Sequence, residues 1–196
     1  MKKMYMAMLL VVTLGIAGGY YFFTNRTVGH KVTLKSGTVF TIKDFDYDRD
    51  HEDVERIFNQ PDNRYWLLAD GLYNNYSVDH MLKYRARYQD SYTSTLTLKV
   101  GFVDGKLVAF TAYYPESPRV GRLLFLLVDE SVRRLGAARA LLLYALDRMI
   151  QEGALKVMIY TRNNNFRAQN LYQSIGSVVT QHDDVGLFYT WYKPKK

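Results

Sequence analysis

The sequence predicts an α+β fold: a mixed, mostly antiparallel six- or seven-stranded sheet flanked by helices, preceded by one transmembrane helix. Three observations carry this reading. Asp104-Gly105 lies between two β-rich runs, which is the signature of a tight antiparallel hairpin. Farther on, an apolar strand (Leu123 to Val128), an apolar helix pattern (Leu141 to Ile150) and a second apolar strand (Leu155 to Tyr160) form a strand-helix-strand crossover, which requires parallel neighbours. Ahead of both, Met4 to Phe23 runs for twenty residues without a charge.

That first run, as a helix rising about 1.5 Å per residue, covers about 30 Å, the thickness of a hydrocarbon core. It exceeds the apolar core of a cleaved signal peptide, and no Ala-x-Ala site precedes Thr24. Tyr20 and Tyr21 fall where interfacial aromatics belong. Residues 1–26 are therefore expected to anchor the chain in a bilayer through residues 4–23, residues 27–37 to link, and residues 38–196 to fold as one domain. Lys2, Lys3 and the terminal amine on one side nearly balance Arg26, Lys31 and Lys35 on the other, so charge alone does not orient the span.

Thr38 to Ile42 reads as the first core strand. Asp50 can cap a helix that buries Val54, Ile57 and Phe58 and stops at Pro61 and Asp62. Asn63 to Ser77 is aromatic-rich and fits neither period. Ser77 caps a second helix running to about Tyr88. Leu96 to Phe102 and Lys106 to Tyr114 are the hairpin strands, Pro115 to Gly121 a loop, and Leu123 to Val128 a strand buried on both faces. The next helix stripes Leu135, Ala138, Leu142, Ala145 or Leu146, and Met149, and Gly153 ends it. Ala168 to Ser174 lies in a last helix, and Val178 to Thr180 and Gly186 to Tyr192 are the terminal strands.

The chain has 196 residues, net charge +7 and no cysteine. A thiolate nucleophile, disulfides and a cysteine-held metal are thereby excluded. The basic residues are dispersed, so no nucleic-acid partner is expected. His51, His80 and His182 are too scattered for a metal site, and none is expected.

The segment Arg133, Arg134, Leu135, Gly136, Ala137, Ala138, Arg139 carries the functional signal. A buried strand feeding a small-residue turn and then a helix leaves amide N–H groups free to cradle phosphate oxygens, and the helix start adds partial positive charge. The alternative is a solvated helix start whose arginines face water. No GxxxxGK[ST] or GxGxxG run is present. A second cluster runs from Thr161 to Tyr172. Asn164 or Asn165 can cap its helix, and Ala168 and Tyr172 share one helix face. The plain alternative is a capped amphipathic helix packed on the sheet.

Together the two segments resemble the GCN5-related N-acetyltransferase (GNAT) superfamily over residues 38–193. Arg133, Gly136 and Ala138 match its coenzyme motif, with Val128 ending the preceding strand and Leu141 in the helix. Asn165, Ala168, Tyr172 and Gly176 match its later motif, while Ser177 stands where phenylalanine is often found. The resemblance implies a GNAT-like sheet whose Leu123 to Val128 and Leu155 to Tyr160 strands splay to admit acetyl-CoA. Pyrophosphate would rest on the amides of Arg134 to Arg139, and pantetheine would pair near Leu126, Leu127 and Val128. Asn165 would contact the pantetheine arm beside Ala168, and Tyr172 would protonate the departing thiolate. The acetyl group would pass by direct attack of an unidentified amine, small molecule or peptide. Glu116, Asp129 and Glu130 are candidate general bases, beside ordered water. Tyr65, Trp66, Tyr73, Tyr76, Tyr84 and Tyr88 are candidates for an aromatic acceptor wall or for ordinary packing. Use of cytoplasmic acetyl-CoA would place a single-pass enzyme's domain on the cytoplasmic face. The competing expectation is a non-catalytic CoA-binding or protein-interaction module of the same fold at the membrane.

Overall fold

The Asp104-Gly105 hairpin is present, with both residues at positive φ (47° and 79°), as a two-residue turn between twisted strands requires. It joins β3 (Thr97–Val103) to β4 (Lys106–Ser117) in a computed structural model that describes residues 29–67, 77–85 and 96–194. The other strands are β1 (His30–Thr33), β2 (Val39–Asp44), β5 (Val120–Val128), β6 (Lys156–Arg162), β7 (Val178–His182) and β8 (Gly186–Tyr192). The five α-helices among the described residues are α1 (Tyr47–Phe58), α2 (Pro61–Leu67), α3 (Val78–Tyr84), α4 (Ala137–Gln151) and α5 (Phe166–Ser174). Residues 4–23, the expected membrane span, lie outside the described residues. Among those described, no helix is long and apolar enough to cross a membrane.

One eight-stranded sheet runs in the order β1-β2-β3-β4-β5-β6-β8-β7. That is more strands than the six or seven expected, because β1 forms within the stretch read as linker. Only β5 and β6 pair in parallel; the other registered neighbours are antiparallel. On one face, α1 and α3 bury Val54, Ile57, Phe58, Met81 and Leu82 against Leu98, Val100, Phe110 and Phe125. On the other, α4 packs Leu142, Leu146 and Met149 against Tyr113, Leu123, Val157 and Ile159, and α5 adds Tyr172.

Several local expectations change. The cap of α1 is Asp46, which accepts from Arg49 N, and not Asp50. Asp50 is buried one turn in and takes the Asp46 N–H at 2.9 Å, a reciprocal capping arrangement that extends the helix four residues upstream. Pro61 starts α2 as well as ending what precedes it, since a first-turn proline lacks only an N–H that would be unpaired anyway. Ser77 does cap α3, but the helix stops at Tyr84, where Arg85 turns left-handed at φ 55°. Pro115 to Ser117 and Val120 to Gly121 are strand, leaving only Pro118-Arg119 as the turn. Leu124 and Leu126 are half-buried, so β5 alternates after all.

Gly101 on β3 sits against the fully buried Phe40 ring, which a Cβ there would overlap. Gly101→Ala is expected to lower the unfolding free energy in urea by about 1 to 3 kcal/mol by overpacking. Phe40→Leu in the same chain should recover part of the loss.

Candidate active site

The site begins with an irregularity in β5. Ala112 pairs with Phe125 and Tyr113 with Leu123, so Leu124 has no opposite residue and forms a bulge. A bulge bends its strand and raises its twist. The parallel pairing of β5 with β6 runs only from Val120↔Lys156 to Leu123↔Ile159, and it ends where the bulge begins. Beyond that point β5 stays with β4 and β6 stays with β8 to Arg162↔Gly186, so the two strands part.

The parting exposes an ordered edge. Asp129 N–H donates to Val108 O at 2.8 Å, and successive residues of an antiparallel ladder point alternately toward and away from the partner. Val128 and Leu126 therefore turn their N–H and C=O toward the gap, while Leu127 faces β4. Val128 O takes a 3.4 Å contact from Arg133 Nε.

At the end of β5 a short 3-10 turn (Glu130–Val132) leads to α4, whose cap is Gly136 at φ 97° with no side-chain capping bond. Among the described residues the N–H groups of Arg134 through Arg139 have no backbone partner, the first helical-type bond being Ala140 N to Gly136 O at 3.0 Å. A Cβ on Gly136 would meet nothing within 4 Å, so the space over the turn is open. Arg134 and Arg139 are exposed beside it. A run of unpaired amides, an uncapped helix start and exposed guanidinium groups suits a diphosphate.

Arg133 departs from the expectation of free charge. Its NH1 donates to Asp62 at 2.6 Å, its NH2 to Asn63 at 2.9 Å, and its Nε points at Val128 O. The guanidinium is spent on α2.

Across the gap, Asn165 caps α5 by accepting from Ala168 N at 3.2 Å, which leaves its amide nitrogen free of bonds among the described residues. Tyr172 shares a packing cluster with Leu123 and Ile159, the last paired residues before the gap, and with the half-buried Leu126 and Ala168. Its ring lies 5.6 Å from that of Tyr189. Burial first, and Tyr189 second, push the Tyr172 phenol well above the usual range, so it holds its proton at neutral pH.

None of the three acids considered as bases is free. Glu116 lies at the far end of β4, beside the start of β5, with both oxygens on Arg122 at 2.8 and 2.9 Å. It is not brought to the Arg134 to Arg139 turn. Glu130 approaches Arg133 at 3.7 Å. Asp129 is buried and accepts from Arg56, from Gln60 at 3.2 Å and from the Ser131 N and Oγ at 3.0 and 2.6 Å. Burial pushes its carboxyl up, but the Ser131 and Arg56 hydrogen bonds outweigh that and bring it down to about 2.

With this geometry in place, the match to the model of the acetyltransferase (GNAT) family over residues 40–176 is decisive. The chain belongs to the GNAT acetyltransferase family. Among curated proteins it is similar to a mycothiol acetyltransferase of Thermomonospora curvata, 28% identical over 74% of this chain and 46% of that protein. The chain thus spans about half the length of that relative. Two solved structures share the fold: Ard1 from Thermoplasma volcanium (24% identity, 80% of this chain, 99% of the other, TM-score 0.61) and the PaiA N-acetyltransferase of Thermoplasma acidophilum in complex with coenzyme A (17%, 79%, 99%, 0.60). The splay and the α4 turn were expected from the two GNAT motifs. The part of α2 was missed, because an aromatic seven-residue helix with no buried residue carries no periodic signal.

Asp129 binds a proton less readily when folded than unfolded. Its contribution is therefore complete above the ordinary carboxylate range and is lost as pH falls toward 2. Between pH 4 and pH 2 the parent should lose about 2 kcal/mol more unfolding free energy in urea than Asp129→Asn.

Proposed function

We propose that this GNAT domain is an N-acetyltransferase that moves an acetyl group from acetyl-CoA to an amine by direct attack. The observation that carries this reading is the row of amides, Arg134 to Arg139, that have no backbone partner among the described residues, at the end of a strand that has parted from its neighbour. The residues fit the coenzyme: amides and the exposed Arg134 and Arg139 for the diphosphate, and the gap-facing edge of Leu126 and Val128, where Val128 O takes only the 3.4 Å contact from Arg133 Nε, for the amides of the pantetheine arm. Asn165 can donate its side-chain amide to the same arm, over the small Ala168. Bound acetyl-CoA supplies the activated acyl group as a thioester. Tyr172, protonated and packed in one cluster with Leu123 and Ile159, supplies the proton for the leaving thiolate. The names of the relatives support acetyl transfer as the reaction class, while the acceptor of this chain is its own question.

The expected bilayer anchor, residues 4–23, would hold the enzyme in single-pass form with the catalytic domain in the cytoplasm, where acetyl-CoA is available. A non-catalytic coenzyme-binding module at the membrane is the second reading, favoured by the pairing of Glu116, Asp129 and Glu130.

Calorimetric titration with coenzyme A should give heat with the parent and none with Gly136→Trp; no heat in the parent overturns the reading. With labelled acetyl-CoA and a panel of amines and peptides, Tyr172→Phe should lower kcat by about 10²-fold at unchanged KM for acetyl-CoA. A Tyr172-dependent product would eliminate the module reading. For the anchor, the full chain should stay in the membrane pellet through alkaline carbonate extraction, and a chain lacking residues 1–26 should not.

A further inference from the structure

Three arginines from three different elements converge on α2. Arg133, in the turn after β5, donates to Asp62 at 2.6 Å and to Asn63 at 2.9 Å. Arg167, in the first turn of α5, donates to the same Asp62 Oδ2 at 3.0 Å. Arg162, the last residue of β6, lies with its guanidinium 5.1 Å from the centre of the Tyr65 ring. Arg133 belongs to the β5 side of the gap, and Arg162 and Arg167 to the β6 side. Helix α2 thus lies across the opening, joined to both banks.

Apart from Leu67, which packs against the core cluster of α1 and α3, its ties are polar. The helix has seven residues and buries none of them fully, and so short a helix has no stability of its own in water. Beside that packing, Asn63 Nδ2 reaches Ile57 O at 2.8 Å and Gln60 Oε1 at 3.1 Å. Asp62 is the one carboxylate shared by cations of both banks among the described residues, and Trp66 Nε1 fixes its other oxygen at 2.9 Å. Replacing it would leave Arg133 and Arg167 facing each other without a counter-charge.

We propose that Asp62 is a positioning residue for acetyl transfer, holding α2 as a strap over the β5–β6 gap so that Tyr65 and Trp66 wall the acceptor side of the thioester. The role rests on the acetyltransferase reading. It acts through Arg133 and Arg167 and touches neither substrate. Because the phosphate cradle is made of amides and of Arg134 and Arg139, coenzyme affinity does not depend on Asp62, whereas the alignment of an incoming amine does. The carboxylate also keeps Arg133 pointed at α2, which explains why a motif arginine faces away from the turn it introduces.

The test uses the full chain and its Asp62→Asn, Asp62→Glu and Arg167→Gln variants. Three quantities are measured: coenzyme A affinity by calorimetry, amide exchange of residues 61–67, and kcat and KM for acetyl-CoA with the pooled amine panel. Asp62→Asn is expected to leave the coenzyme Kd and the acetyl-CoA KM within about threefold of the parent, lower kcat at least about tenfold, and abolish the slow exchange of residues 61–67. Asp62→Glu should restore part of kcat, and Arg167→Gln, which frees one bank only, should fall between. Unchanged kcat in Asp62→Asn, or a kcat loss with exchange of residues 61–67 as in the parent, overturns the role of Asp62 alone. A parent that gives no heat with coenzyme A overturns the acetyltransferase reading and the strap's function with it.

Discussion

Everything at the site depends on β5 and β6 pairing for four residues and no more. The single extra residue, Leu124, ends that pairing at Leu123↔Ile159 while leaving each strand fully held by its other neighbour. A sheet that simply stopped there would frustrate its own backbone, since unpaired N–H and C=O groups in an apolar setting cost as much as lost hydrogen bonds. The structure tolerates the opening because the two banks are stiffened from outside it. Thr111 Oγ1 bonds Phe125 O at 2.7 Å on the β4 side, and β8 carries β6 to its last residue. The core clusters on the two faces meet across β5, so the gap is framed by buried residues of both.

The charge arrangement follows from this frame. A net charge of +7 suggests a surplus of cations for an anionic ligand, yet the arginines nearest the gap are largely engaged by the protein itself. Arg133 and Arg167 hold Asp62, Arg56 holds Asp129, and Arg122 holds Glu116. What is left for phosphate is mostly main chain, together with Arg134 and Arg139. Amides fixed at a helix start need no reorganisation when an anion arrives, whereas long side chains must be ordered. The paired arginines serve instead to close the ends of β5, α1, α2 and α5 onto one another.

How much of this was legible in the sequence divides along physical lines. Period-2 runs and the Asp-Gly turn located the central strands, and the Arg133 to Arg139 and Asn165 to Gly176 segments pointed to the candidate site, because those signals are local. The N-cap of α1 was misplaced by one turn since Asp46 and Asp50 are equally good caps by type, and only burial of Asp50 against Arg49 decides between them. The outward face of Arg133 was unreadable, as its partners Asp62 and Asn63 lie some seventy positions away in the chain. The bulge at Leu124 was equally hidden, for an apolar run carries no mark of which residue will be skipped by its partner strand.

Proton donor and proton acceptor are unequally provided for in the cleft. Burial keeps the phenol of Tyr172, the proposed donor, protonated, but among Glu116, Asp129 and Glu130 no carboxylate stands free of a cation. Asp129 is the least suited of the three, because a group held down to about 2 accepts a proton poorly at neutral pH. On the acetyltransferase reading, the leaving thiolate then has a partner built into the core, while the attacking amine must shed its proton to water in the open part of the cleft before it reaches the thioester. A strap over the gap serves that asymmetry, because it can admit a neutral amine beside Tyr65 and Trp66 while limiting the water that reaches the acyl group.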